Sequence, residues 1–210
     1  NPTPSSVDVD AHPIPTVHVD AQAYDALHAS AEAGDQVTLL DGNPDALPEP
    51  VTPQIAGFSS RGPVLADGSD VIKPDIAAPG TGIIAAGPNA EGEEGSFIFL
   101  YGTSMAAPHV AGLAAVYLGE PPLATPAEIK SALMTTATDT VDASGNPAQD
   151  WFAQGAGFVN ATSFLDAGVY YANGLTDWHG YLRGVGYELP DSWVGAPIDP
   201  SDLHIPSIGI

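Results

Sequence analysis

Residues 97–112 read FIFLYGTSMAAPHVAG, a short apolar run followed by a turn and a stretch of small residues. The apolar run at 97–101 predicts a buried strand, and Gly102 lets the backbone turn tightly because it has no Cβ. The residues from about 104 to 118 predict a helix whose residues are small nearly all round, which is typical of a helix buried within a domain. The pattern therefore places Ser104 at the start of a helix, directly after a buried strand.

This position gives Ser104 two chemical properties at once. The first N–H groups of a helix have no partner within the helix, and together with the helix dipole they favour a negative charge nearby. An acyl-transfer enzyme needs a hydroxyl nucleophile and a donor for the oxyanion, and Ser104 would supply both. The alternative is that Ser104 only caps the helix, because serine is a common N-cap residue.

The chain before this stretch predicts a strand, a helix and a strand, at residues 14–19, 21–33 and 36–40. Asp20 is a suitable N-cap for that helix and Gly34 a suitable stop. Proline and acidic residues predict a loop at 1–11 and a linker at 41–53.

Later segments continue the alternation. Residues 55–58, 76–78 and 83–86 are strand candidates, and 161–167 is a helix candidate. A helix is also predicted after Thr125, because Pro126 and Glu128 complete the pattern of a capping box. Residues 172–200 have no clear periodicity and are predicted to be irregular. Alternating strands and helices indicate an α/β fold with a largely parallel sheet.

Four segments of the chain, in order, resemble sequence blocks of the subtilase family. GTSMAAPHVAG at 102–112 resembles the family's nucleophile motif, and the other three are FSSRGP at 58–63, KPDIAAPG at 73–80 and QGAGFVN at 154–160. The resemblance covers about residues 54–170. It implies a subtilisin-like three-layer α/β fold with a mostly parallel sheet, incomplete in this chain. It also implies a secreted serine endopeptidase that acts on proteins or peptides, with Ser104 as nucleophile and no cofactor.

The flanking segments resemble two further domains. Residues 15–40 are similar to the end of a protease-associated domain, and residues 202–208 are similar to the first strand of a fibronectin-like domain. We therefore expect three parts, at 1–45, 46–175 and 176–210, the central one being the C-terminal part of the peptidase domain. The chain starts at Asn1 without a methionine and stops within an apolar run, so we interpret both ends as cuts.

The resemblance also implies an Asp, a His and an oxyanion-hole Asn, all earlier in the parent protein. Their characteristic blocks, His-Gly-Thr-His and Ser-Ala-Gly-Asn, do not occur in the sequence. His109 lies about 140° around the helix from Ser104, so its side chain points away and is expected to be a hydrogen-bonded core residue. The other five histidines are expected to have ordinary surface or packing roles, with His18 and His28 the strongest substitutes for the base. The chain alone is therefore expected to be inactive.

The composition excludes several functions. With 26 acidic and 4 basic residues the net charge is -22, which disfavours nucleic acid and anionic membranes as partners. No apolar run approaches the length of about 20 residues that spans a bilayer, and the absence of cysteine removes disulfides and thiol chemistry. No metal site is expected, and Arg61 and Lys73 are expected to form structural ion pairs. The acidity serves either solubility or adaptation to salt.

Two other functions remain open from the sequence. The first is a non-catalytic interaction module, in which the remnant of the protease-associated domain binds partners. The second is an α/β-hydrolase esterase, which also places serine on a strand-to-helix turn. The esterase would leave three of the four blocks unexplained.

Overall fold

A computed structural model describes residues 13–14, 16–17, 19, 23–38, 51–65, 71–92, 94–120, 124–203 and 205–206. The described residues form five α-helices, two strands and two short 3-10 helices. In chain order these are α1 (Tyr24–Ala33), β1 (Ile83–Ala86), β2 (Phe97–Leu100), α2 (Thr103–Gly119), α3 (Pro126–Thr135), α4 (Trp151–Gln154), a 3-10 helix (Phe164–Asp166), α5 (Leu175–Gly184) and a second 3-10 helix (Pro200–Asp202). The combination agrees with the predicted incomplete α/β fold.

The strand pairing differs in detail from the predicted parallel sheet. The one regular ladder among the described residues joins β1 to β2 in antiparallel register, from Ile83 opposite Leu100 to Ala86 opposite Phe97. Parallel pairing in the described part of the chain is limited to a bridge between Ala77 and Phe158. The connection between β1 and β2 is shorter than the dozen or more residues that a parallel crossover requires, so a hairpin forms.

Residues 73–80 form backbone hydrogen bonds with the sequence block at 154–160. The Ala77 N–H donates to the Gly157 carbonyl at 2.8 Å, and the Ala77 carbonyl accepts from the Val159 N–H at 2.9 Å. The Ala156 N–H donates to the Asp75 carbonyl at 2.9 Å. The sequence blocks at 73–80 and 154–160 are thus joined by backbone hydrogen bonds.

Helix α2 packs through one face only. Its residue Tyr117 is buried in the main core, which α3 and the 3-10 helix Phe164–Asp166 complete with Ile129, Ala132, Leu133 and Phe164. No other residue of α2 is buried. The prediction of a helix buried on all sides is therefore wrong for this chain, because the described elements cover only the face that carries Tyr117.

The start of α3 has the predicted capping box. The Thr125 hydroxyl accepts from the Glu128 N–H at 3.2 Å, and the Glu128 carboxylate accepts from the Thr125 N–H at 2.7 Å. These backbone and side-chain hydrogen bonds lower the pKa of Glu128. Such a cap contributes about 1 kcal/mol to helix stability.

Helix α5 was not predicted, since residues 172–200 were expected to be irregular. Its first turn is stabilised by the Asp177 carboxylate, which accepts from the Gly174 N–H at 2.7 Å, and a glycine is a weak signal for a helix start. Trp178 and Tyr181 pack against a second buried cluster of Val71, Leu203 and Ile205. Tertiary packing, rather than an obvious sequence period, explains this helix.

The N-terminal helix α1 ends as predicted at Gly34, which adopts a left-handed conformation with φ of 75°. It begins at Tyr24, preceded by Ala23, whereas the predicted cap Asp20 lies outside the described residues. Neither flanking strand is formed where residues 14–19 and 36–40 are described. A strand without a neighbour leaves its backbone groups unpaired, so a strand-like composition is not sufficient to form a strand.

Two further sequence predictions were wrong. Residues 55–58 form no strand, and the helix predicted at 161–167 is reduced to the 3-10 helix Phe164–Asp166. The Asn160 side chain accepts hydrogen bonds from the Thr162 N–H and hydroxyl, at 3.1 and 2.7 Å. Such local bonds compete with a regular helix.

Candidate active site

Ser104 is the second residue of α2, and it lies at the surface of the chain. The backbone hydrogen bond at the start of α2 is made by the next residue, because the Met105 N–H donates to the Gly102 carbonyl at 3.0 Å. Among the described residues, no group forms a hydrogen bond with the Ser104 N–H or hydroxyl. Hydroxyl and amide are therefore both available to a reacting group.

Pro108 alters the same turn of the helix. Proline has no N–H, so the usual helical donor to the carbonyl of the residue four positions earlier is missing, and that residue is Ser104. The first turn of α2 therefore lacks one of the bonds that would otherwise hold it.

Gly102 fixes the direction from which α2 begins. Its φ of 147° and ψ of 162° belong to a region that residues with a Cβ rarely adopt. Its N–H donates to the Gly80 carbonyl at 2.8 Å, which ties the nucleophile segment to the end of the segment 73–80. The sequence placed these two segments in order along the chain, and the structure brings them into contact.

A cavity of about 530 Å³ lies beside the start of α2. Thr103 is among the residues that line it, and Ser104 is not. The walls are mostly apolar and include Phe58, Ile76, Val110 and Phe158. The cavity therefore lies between α2 and the segments that contain Phe58, Ile76 and Phe158. The candidate nucleophile is not part of its lining.

Asp75 forms the two shortest ion pairs among the described residues. Its carboxylate lies 2.6 Å from the Lys73 Nζ and 2.8 Å from the Lys130 Nζ, which joins segment 73–80 to α3. Burial on its own would raise the pKa of Asp75, but hydrogen bonds and positive charge from the two lysines outweigh it and lower the pKa. The carboxylate is therefore held ionised as a structural clamp.

The remaining basic residues are also engaged within the chain. The Arg61 Nε lies 4.0 Å from the Asp150 carboxylate, and Arg183 donates to the carbonyls of Pro190 and Trp193 at 3.2 and 2.9 Å. The expected structural ion pairs of Arg61 and Lys73 are confirmed. All four basic residues of the sequence thus serve internal contacts, so few positive charges offset the acidic surface.

None of the described histidines bonds to Ser104. The His109 Nδ1 lies 2.8 Å from the Met105 carbonyl, which confirms its hydrogen bond, although the side chain is exposed rather than in the core. His28 lies 3.7 Å from Glu32 within α1, and His179 stacks on Trp193 with ring centroids 4.6 Å apart. The other three, His12, His18 and His204, lie outside the described residues.

Two further features are absent from the described residues, a cluster able to hold a metal ion and a helix able to cross a membrane. Within the described ranges, no group of three or more His, Cys, Asp or Glu side chains is arranged to hold a metal ion. In the same part of the chain, no helix combines the length and apolar character needed to cross a bilayer.

Comparison with known proteins identifies relatives of this chain. A family model for the subtilase family matches residues 14–157, which include Ser104 and its flanking turn. Two subtilisin-like proteases of Arabidopsis thaliana are 37% identical over 199 residues and 38% identical over 195 residues, matching 86% and 85% of this chain. The match covers 25% of each relative, so the chain spans about a quarter of the length of the curated relatives.

Among solved structures, the chain is similar to fervidolysin from Fervidobacterium pennivorans, a keratinolytic enzyme related to subtilisin. The identity is 35% and the TM-score 0.42, over 54% of this chain and 17% of that one.

Proposed function

The chain belongs to the subtilase family, and from that premise we propose that it carries the nucleophile of a serine endopeptidase of the subtilisin type. One observation supports this most directly. Ser104 opens α2 with an exposed hydroxyl and a free backbone N–H, inside the region that the family model matches. An N-cap role alone is a weaker explanation, because Gly102 rather than Ser104 precedes the helix and the Ser104 side chain makes no cap hydrogen bond.

The proposed reaction proceeds through an acyl-enzyme. A histidine base removes the proton from the Ser104 hydroxyl while Oγ attacks the carbonyl carbon of the scissile peptide bond. The Ser104 N–H stabilises the negative oxygen of the tetrahedral intermediate. The C–N bond then breaks, the leaving amine receives the proton, and water hydrolyses the ester on Ser104. The substrates are proteins or peptides.

The base, its orienting Asp and the oxyanion-hole Asn are proposed to come from a part of the protein outside these 210 residues. No described histidine bonds to Ser104, and the sequence contains neither block in which these groups are expected. A serine hydroxyl without a base stays protonated and is a weak nucleophile. The 210 residues alone are therefore proposed to be inactive.

We further propose that the parent enzyme is secreted, with residues 1–45 ending a protease-associated domain and 176–210 leading into a fibronectin-like domain. The resemblances at 15–40 and 202–208 support these assignments. Leu203 and Ile205 lie within the segment that resembles the first strand of the fibronectin-like domain, and they pack against Val71. Where it is described, the segment forms no strand, and the 3-10 helix Pro200–Asp202 precedes it.

The test uses the full-length protein and the substitution Ser104→Ala. Removing the nucleophile is expected to lower kcat on a peptide substrate by about 10⁴-fold or more. Ser60→Ala is a matched control, since it also removes a hydroxyl from a family block but lies in a turn before segment 73–80. A Ser104→Ala enzyme that keeps more than about a tenth of its activity would rule out the assignment. A full-length protein with no peptidase activity would instead favour the interaction module.

A further inference from the structure

We propose that Gly80 is a positioning residue for the nucleophile. It acts because its lack of a side chain allows Gly102 to approach closely. This inference rests on the proposed function of Ser104. Gly80 ends the segment 73–80 and does not touch Ser104. Its effect on the reaction would pass through the turn that precedes α2.

Contact between the two glycines is close in both directions. The Gly80 carbonyl accepts a hydrogen bond from the Gly102 N–H at 2.8 Å. A Cβ placed on Gly80 would lie 3.0 Å from the Gly102 carbonyl oxygen and 3.5 Å from the Ala106 Cβ. The first of these distances is shorter than about nine in ten real Cβ contacts, whereas the second is ordinary van der Waals contact.

The backbone conformation of Gly80 does not itself require glycine. Gly80 is not among the glycines with a positive φ, so an alanine could adopt its backbone angles without strain. What excludes a side chain is the space occupied by the Gly102 carbonyl. Gly80 is therefore needed for approach rather than for its own flexibility, in contrast to Gly102.

The Gly102 carbonyl is also the first acceptor of α2. It receives the Met105 N–H at 3.0 Å, so moving this oxygen moves the turn that contains Ser104. Relief of a 3.0 Å contact requires a shift of a few tenths of an ångström. A misplacement of 1 Å at a reacting group costs about 10²-fold in rate, so this shift is expected to cost about 5- to 10-fold.

The experiment compares Gly80→Ala with Gly95→Ala in the full-length protein. Gly95 also lies outside the helices and strands and has no positive φ, but a Cβ there would meet nothing within 4 Å. Gly80→Ala is expected to lower kcat about 5- to 10-fold with KM changed less than about twofold, because the shift affects the transition state more than substrate binding. Gly95→Ala is expected to leave both constants within about twofold of the original protein.

A peptide boronic acid gives a readout that a merely structural role would not move. It forms a tetrahedral adduct with the serine Oγ, so its inhibition constant in Gly80→Ala is expected to rise by the same factor as kcat falls. Adding Ala106→Gly removes the neighbouring Ala106 Cβ, so the new methyl group has room to move away from the Gly102 carbonyl oxygen. The double variant is expected to recover part of the lost kcat.

Each contrary outcome is decisive. Unchanged kcat in Gly80→Ala, an unfolded variant, or losses that follow a lower Tm with KM and kcat changed together would overturn the proposal. A double variant no more active than the single one would refute the steric origin. These results are separate from failure of the proposed function, which would appear as activity retained after Ser104→Ala.

Discussion

Replacing Asp75 by Asn removes the charge that joins segment 73–80 to α3 while keeping nearly the same shape. In the full-length protein, the Lys73 and Lys130 ammonium groups would lose their shared carboxylate and face each other without it. A hydrogen bond to a charged group contributes about 1.5–3 kcal/mol when well shielded. Exposed ion pairs contribute only about 0–1 kcal/mol.

The structure places Asp75 between these limits. Its side chain is 30% exposed, and those of Lys73 and Lys130 are 41% and 32% exposed. Solvent screening therefore reduces both bonds, and the amide of Asn retains one acceptor. We expect a loss of about 2 kcal/mol in stability, which lowers the Tm of the peptidase domain by about 4 °C or slightly more.

The pH dependence gives this prediction a direction that can be checked. The folded-state pKa of Asp75 is lowered, so its stabilisation is fully present above the unfolded-state pKa of about 4 and is lost as pH falls through the folded value. The Tm difference between the original protein and Asp75→Asn should be constant from about pH 5 to 8 and shrink below about pH 4. Asp191→Asn is the control, because Asp191 is exposed, has no partner among the described residues and changes the net charge equally.

The measurement is a set of thermal melts of the three proteins across this pH range. A Tm difference below about 1 °C at pH 7, or one equal to that of Asp191→Asn, would refute the account of Asp75 as a clamp. A difference that does not shrink at all as the pH falls below about 4 would show that the loss is not due to the carboxylate charge.

Three further predictions follow from the helix cap, the charge and the uncovered surfaces. Thr125→Ala should destabilise α3 by about 1 kcal/mol and lower the Tm by a few degrees. Thr176→Ala is the control, because Thr176 lies in the first turn of α5 and is not a cap residue, so a smaller change in Tm is expected. The Tm of the full-length protein should rise from low to molar NaCl, because salt screens repulsion among the acidic residues, which give these 210 residues a net charge of -22; a flat or falling Tm would show that the acidity serves solubility only. The isolated 210 residues should bind a hydrophobic dye and melt without a sharp transition, since Phe97 is 74% exposed and the outer face of α2 is uncovered; a cooperative melt would contradict this.

Local signals in the sequence were sufficient for the elements nearest the candidate site. The strand at Phe97–Leu100, the helix from Thr103 and the capping box at Thr125 all follow from residues close together in the sequence. The prediction that this strand is buried was wrong, because most of its side chains are exposed in the structure. Gly102 was predicted as a turn residue for its lack of a Cβ, and its φ of 147° agrees. These features depend on steric contacts and hydrogen bonds between residues close together in the chain, so the sequence is enough to predict them.

Other features depend on contacts between distant residues and were missed. Helix α5 is stabilised by packing of Trp178 and Tyr181 with Leu203 and Val71, which lie far apart in the sequence. Among the described residues no strand pairs with 55–58, and the exposure of α2 reflects which of its faces the other described elements cover. The contact of Gly80 with Gly102 likewise joins two blocks that the sequence shows only in order.

Covalent labelling shows whether Ser104 is an activated nucleophile in the parent enzyme. The full-length protein is treated with a fluorophosphonate probe, digested, and analysed by mass spectrometry to locate the modified residue. We expect one probe per molecule, attached to the peptide that contains Ser104, and no labelling of the isolated 210 residues. Labelling of the full-length protein at any other serine, or stoichiometric labelling of Ser104 in the isolated chain, would contradict it.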